Sequence, residues 1–204
     1  MSLTESEYAV LRQTIAARGT ARMVLFPLTM LGWAALALIV LTFAEAPVAS
    51  LFPLGVLVGG FEAIHALHVG VERIGRYLQV YYEGTDAGPR WETTAMAVGP
   101  ALPGGGIDPL FTLVFASATF VNLIPALALR PRATPMELGV IGVLHIAVVI
   151  RIVRARGAAA RQRAVELESF RAIHSQIPNP NPSTSSGLSR VPSRDKSQNP
   201  NPNS

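Results

Sequence analysis

Cysteine is absent from the 204-residue chain, which excludes disulfides and thiolate chemistry and leaves the redox compartment unreadable. Lysine is almost absent too. Lys196 is the only one, so the net charge of +4 and the pI near 10.1 come from arginine. Charge of either sign is scarce, at 15% of residues against 50% hydrophobic, and the mean hydropathy of +0.36 is high for a water-soluble domain. Reaction signatures are missing as well. The chain has no G-x-S-x-G, no H-E-x-x-H and no G-x-G-x-x-G following a strand. The GGG run at 104–106 lacks the Lys and Ser/Thr of a phosphate-binding loop. No catalytic residue, metal-ligand set or cofactor is therefore assigned, and an enzyme is not expected.

The apolar residues are gathered into blocks at 23–43, 51–61, 109–129 and 138–150. A bilayer core of about 30 Å takes about 20 helical residues, which the first and third blocks supply alone. The second reaches that length by taking in Glu62, His65 and His68. The fourth does so with Glu137 and Arg151 at its two interfaces. The expected fold is an all-α integral membrane protein with four transmembrane helices, at about 23–43, 51–71, 110–129 and 136–153. AEA at 44–46 mimics a signal cleavage site, but the long apolar core and the following Pro47 make the first block an anchor.

Arginine fixes the expected orientation. Arg12, Arg18 and Arg22 precede the first span, Arg73 and Arg76 follow the second, and Arg151, Arg154, Arg156, Arg161 and Arg163 follow the fourth. The positive-inside rule then puts both termini in the cytoplasm of a multi-pass plasma (inner) membrane protein. Residues 1–22 read as an amphipathic helix that Gly19 ends, with Thr4 and Glu7 as a capping box. The second helix is expected to continue to about Glu83. Residues 84–108 read as a long loop with Trp91 as an interfacial anchor. The stretch 154–177 reads as a basic helix and 178–204 as a disordered low-complexity tail. Thr134 and Pro135 are expected to start the fourth helix, as cap and first helical residue. Gly55 and Gly59 form a G-x-x-x-G pair suited to close helix approach.

The feature that invites a functional reading lies in FEAIHALHVGVERIGRYLQ, residues 61–79. On a helical wheel Glu62, His65, His68, Glu72, Arg73, Arg76, Gln79 and Glu83 fall within an arc of roughly 140°. Polar groups in a bilayer cost several kcal/mol unless they face the bundle interior or water, so the stripe is expected to point inward. Asn122 on the third span and His145 on the fourth lie at the depth of Glu62. Glu62, His65, His68, Asn122 and His145 are thus a candidate intramembrane cluster. Two functional readings follow from it, a proton relay or a metal site, the latter hinted at by the Glu-x-x-His spacing of Glu62 and His65. Against both stands interhelical hydrogen bonding that fixes register. Glu72, Arg73, Arg76, Trp91, Arg151, Arg154 and Arg156 form a candidate partner or lipid surface. The expected partners are the bilayer, a membrane or cytoplasmic protein and a second copy of the chain, not nucleic acid. The leading functional expectation is an accessory, assembly or scaffold protein acting through its cytoplasmic face. The alternative is a proton- or cation-handling protein built on the Glu/His cluster.

Overall fold

The computed structural model describes residues 3–83, 90–98, 109–129 and 132–176. The expected disordered tail and most of the loop 84–108 lie outside the described residues. The described chain is helical throughout, without strands. Its elements are α1 (Leu3–Phe43), a 3-10 turn (Pro47–Ser50), α2 (Leu51–Tyr81), α3 (Trp91–Val98), α4 (Pro109–Val121), α5 (Leu123–Ala128) and α6 (Pro135–Gln176). Four segments are long and apolar enough to cross a membrane: α1, the turn with α2, α4 with α5, and α6.

Helix α1 is a single helix of 41 residues, so Gly19 does not end it. One glycine inside a helix costs about 1 kcal/mol, and the neighbours Ala16, Ala17, Arg18, Ala21 and Arg22 are favourable helix formers. Thr4 consequently lies inside the helix and not at its cap. Glu7 reaches another helix instead, accepting a 3.0 Å hydrogen bond from the Tyr77 hydroxyl. The third segment divides at Asn122, where a turn separates α4 from α5. Pro125 has no N–H to give to the carbonyl four residues earlier, which weakens the ladder there. Helix α6 begins as its sequence predicts. Thr134 N and Oγ1 both donate to Glu137 Oε2 (2.8 and 2.9 Å), Glu137 N donates back to Thr134 Oγ1, and Pro135 is the first helical residue. The stretch 84–108, expected as a loop, contains the eight-residue helix α3.

At about 1.5 Å per residue, α1, α2 and α6 are about 60, 45 and 60 Å long, well beyond a bilayer core. Their surplus lengths gather at one end of the bundle, hereafter the polar end, where Arg12 of α1 meets Glu92 of α3 and Arg73 of α2 meets Glu166 of α6. The core below it is built from Leu57, Phe61, Ile64, Phe115, Ala118, Ile152 and Ala155, with Phe26, Met30, Trp33 and Phe111 packed against them. Large apolar side chains such as Leu31, Leu38, Phe52, Leu127, Val143 and Ile146 point outward. In water such a belt is an aggregation surface; in lipid it is what a spanning bundle requires. Four helices apolar enough to cross a membrane suggest a multi-pass membrane protein.

The close approach of α1 and α2 is at Gly60, one residue from the expected pair. A Cβ there would collide with the side chain of Thr29, whose own Cβ would lie 2.8 Å away, whereas Gly55 and Gly59 have nothing within 4 Å inside the chain. We expect Gly60→Ala to destabilise the bundle by about 1–3 kcal/mol through forced separation of the helices. Gly55→Ala and Gly59→Ala should be neutral or slightly stabilising, because alanine is the better helix former. Thermal unfolding of the three variants in one detergent checks this difference in sign.

Candidate functional site

The expected polar groups do not form one cluster. They separate into three groups at different faces and depths, and a cleft opens beside them.

At the polar end the groups of α2 are bound to α6. Arg76, only 2% exposed, donates from Nε and Nη2 to Glu166 Oε2 at 3.0 and 2.5 Å and from Nη1 to Glu72 Oε2 at 3.1 Å. Arg73 donates from Nε and Nη2 to the other oxygen of Glu166 at 3.0 and 2.9 Å, and Gln162 Nε2 adds a 2.6 Å bond to it. Arg163 closes the set on Glu72 Oε1 at 2.5 Å. Burial opposes the charge on Glu166, but the hydrogen bonds from Arg73, Arg76 and Gln162 outweigh it and hold its pKa below the ordinary range. Beyond this layer come rings. Tyr77 stacks on Tyr81 (4.5 Å), Tyr8 of α1 meets Tyr82 (5.5 Å), and Phe170 and His174 of α6 abut Tyr77 and Tyr81. Burial and the Glu7 carboxylate push the Tyr82 hydroxyl above its usual range.

The segment ERIGRYLQVYYEG is thereby accounted for almost residue by residue. Glu72, Arg73 and Arg76 form the ionic layer and the three tyrosines the aromatic layer. Glu83 caps α3, accepting from Glu92 N, Thr93 N and Thr93 Oγ1, all at 2.7 Å. Gly75 leaves room for α3, since a Cβ there would be 2.9 Å from Glu92 Oε2. Glu92 itself pairs with Arg12 at 2.6 Å. Burial nevertheless keeps its pKa above the ordinary range, opposed by Arg12 and aided by the Glu83 charge.

Glu62 stands apart from both Asn122 and His145. Its carboxylate pairs with Arg151 Nη2 at 2.7 Å, and its side chain is 41% exposed, so the expected inward-facing carboxylate is instead on an outer face of α2 beside α6. The wheel identified the polar face of α2 but not which neighbour would meet it, and an arginine on α6 satisfies a carboxylate better than a neutral imidazole does. His65 stacks flat on Phe61 at 5.8 Å. His68 Nδ1 lies 3.1 Å from Arg22 Nη1. A guanidinium only donates, so Nδ1 is the acceptor and the ring proton sits on Nε2, which faces Glu72 Oε1 at 3.5 Å.

Asn122 and His145 do meet, in a buried knot towards the opposite end. Trp33 Nε1 donates to Asn122 Oδ1 at 3.0 Å, while Asn122 Nδ2 lies 2.9 Å from the Ser50 carbonyl and 3.0 Å from His145 Nε2. The chemistry leaves no freedom in the assignment. Indole N–H only donates and a carbonyl only accepts, so the amide orientation is fixed. His145 Nε2 must then accept, and its Nδ1–H donates to the Ile141 carbonyl at 2.8 Å. Four segments are tied by one amide, and both ring nitrogens of His145 are occupied. Sequence reasoning found Asn122 and His145 by depth, but not Trp33 or the Ser50 carbonyl, which lie 89 and 72 positions from Asn122.

Between α1, α2, α4 and α6 lies a cleft of about 450 Å³. Phe26, Phe61, Ile64, Phe111 and Ile152 make its apolar wall, and Arg22, Arg156, His65 and His68 lie on its margin. Among the expected surface residues, Arg73, Trp91, Arg151, Arg154 and Arg156 are exposed, Glu72 is half-buried and Arg76 is buried. No group of three or more His, Asp or Glu side chains able to hold a metal comes together among the described residues. Comparisons with protein-family models, with curated proteins and with solved structures find no match to this chain.

Proposed function

We propose that this chain is a non-catalytic, multi-pass accessory or scaffold protein of the plasma (inner) membrane, working through a cytoplasmic stalk formed by the extensions of α1, α2 and α6. One observation supports this reading above others. Glu72, Arg73 and Arg76 of α2 are paired with Arg163 and Glu166 of α6, and Arg12 of α1 with Glu92, which ties the extensions into a stiff projection. Cytoplasmic placement rests on the arginine-rich flanks at that end. Because Glu72, Arg73 and Arg76 are engaged within the chain, the partner surface passes to the outer face of α6, where Arg154, Ala158, Arg161, Val165 and Glu168 are exposed at helical spacing. Proton or cation handling has less support, since Glu62 is neutralised by Arg151 and His145 has no free ring nitrogen.

A photo-crosslinking residue at Val165 in intact membranes tests the proposal. It should capture one protein in fixed ratio, and Arg161→Glu should abolish the capture while the bundle keeps its unfolding temperature. Capture of lipid alone would count against the scaffold reading.

A further inference from the structure

We propose that the cleft between α1, α2, α4 and α6 is a binding site for an anionic amphiphile, a hydrocarbon chain carrying a phosphate or carboxylate head. This goes beyond the scaffold reading and rests only on the chain spanning a membrane, so the absence of a protein partner would leave it standing.

The cleft is graded along the bundle axis. On α1, Arg22 lies one turn nearer the polar end than Phe26. On α2, which runs the other way, His68 and His65 lie nearer that end than Phe61. On α6, Arg156 lies one turn nearer than Ile152. Three helices therefore agree in direction, with cationic or imidazole groups at the mouth and rings and aliphatic groups below. A volume of about 450 Å³ suits a single acyl chain better than a whole two-chain lipid, and falls within the usual range of small-molecule sites, about 300–1,000 Å³.

The charge at the mouth is available. Arg12, Arg73, Arg76, Arg151 and Arg163 each meet a carboxylate. Arg22 contacts the neutral nitrogen of His68, which orients the guanidinium without cancelling its charge. Arg156 meets no carboxylate among the described residues. The nearby acids are already engaged, Glu62 by Arg151 and Glu72 by Arg76 and Arg163. His68 turns Nε2 towards Glu72 at 3.5 Å, a carboxylate already held by Arg76 and Arg163. A fork of two arginines at the membrane interface above an apolar slot recognises an anionic head whose tail enters the bilayer core. A zwitterionic head brings its own cation to the same place and gains less.

The test uses the full chain in nanodiscs. One set contains equal parts phosphatidylglycerol and phosphatidylcholine of matched chains, and another contains phosphatidylcholine with oleate. Lipid retained on extraction into mild detergent is counted by native mass spectrometry. The expected result is one anionic molecule per chain, enriched about tenfold or more over phosphatidylcholine. The two sets distinguish a phosphate head from a carboxylate head. Arg22→Gln with Arg156→Gln should reduce retention to the phosphatidylcholine level without lowering the unfolding temperature. Val114→Trp, which fills the slot and leaves both arginines in place, should remove the bound chain. Equal retention of zwitterionic and anionic species, or retention unchanged in both variants, would overturn the proposal.

Discussion

Glu166→Ala should destabilise the protein by about 2–4 kcal/mol, a large share of the stability of a small bundle. Glu166 accepts from Arg73, Arg76 and Gln162, and its removal strands the buried Arg76 guanidinium with Glu72 alone. Breaking one side of a buried pair costs about 3–5 kcal/mol when nothing compensates, and the surviving Arg76–Glu72 contact lowers that figure. Glu166→Gln keeps the shape but loses the charge, so its effect should be smaller. The double change Arg76→Met with Glu166→Met should restore much of the loss, because replacing both charges with apolar groups is often neutral. A double-mutant cycle followed by thermal unfolding in detergent separates these outcomes.

The same carboxylate gives the stalk a pH dependence of known sign. The folded-state pKa of Glu166 is depressed, so its contribution is complete above the unfolded value, about 4.3. It is lost as pH falls through the lower folded value. Wild-type protein should therefore lose stability in this acid window more steeply than Glu166→Gln does, and equal slopes would remove Glu166 as the cause.

Asn122→Leu should cost a comparable amount, about 2–4 kcal/mol. It leaves the Trp33 indole N–H, the Ser50 carbonyl and His145 Nε2 without the partner they share. Each buried group left unpaired costs about 1–3 kcal/mol, and the three are not additive because they lie together. Asn122 is 0% exposed, so water cannot readily replace the amide. His145→Phe should cost less, since the amide keeps both Trp33 and Ser50. A knot with a purely structural role predicts that both variants lower the unfolding temperature and leave lipid retention in the cleft unchanged.

How much of this was legible in the sequence depends on the range of the interaction. Apolar block length revealed the four segments able to span a membrane, and Thr134-Pro135 with Glu137 marked the start of α6, because those signals are local. Depth matching brought Asn122 and His145 together, since a bilayer gives every span a common coordinate. The pairing of charges across helices was not legible. Glu166 lies in the stretch 154–177, which reads only as a basic helix, yet it is the acceptor for two arginines about 90 positions away. Glu62 looked deep and inward because the wheel fixes an angle relative to its own helix, not to the neighbours, and Arg151 was assigned to the interface. Gly60 adjoins the recognisable G-x-x-x-G pair but makes the contact that the pair does not, because register depends on Thr29 in another helix.

In the proposed topology four crossings bring α1's start and α6's end, and hence the stalk, to one side of the membrane. The absence of native cysteine makes this directly measurable, using single cysteines at Val10, Glu45 and Ile173, all exposed, and a membrane-impermeant maleimide on intact cells. Glu45→Cys should be labelled from outside, and Val10→Cys and Ile173→Cys only after permeabilisation. Labelling of Val10→Cys or Ile173→Cys from the same side as Glu45→Cys would contradict it.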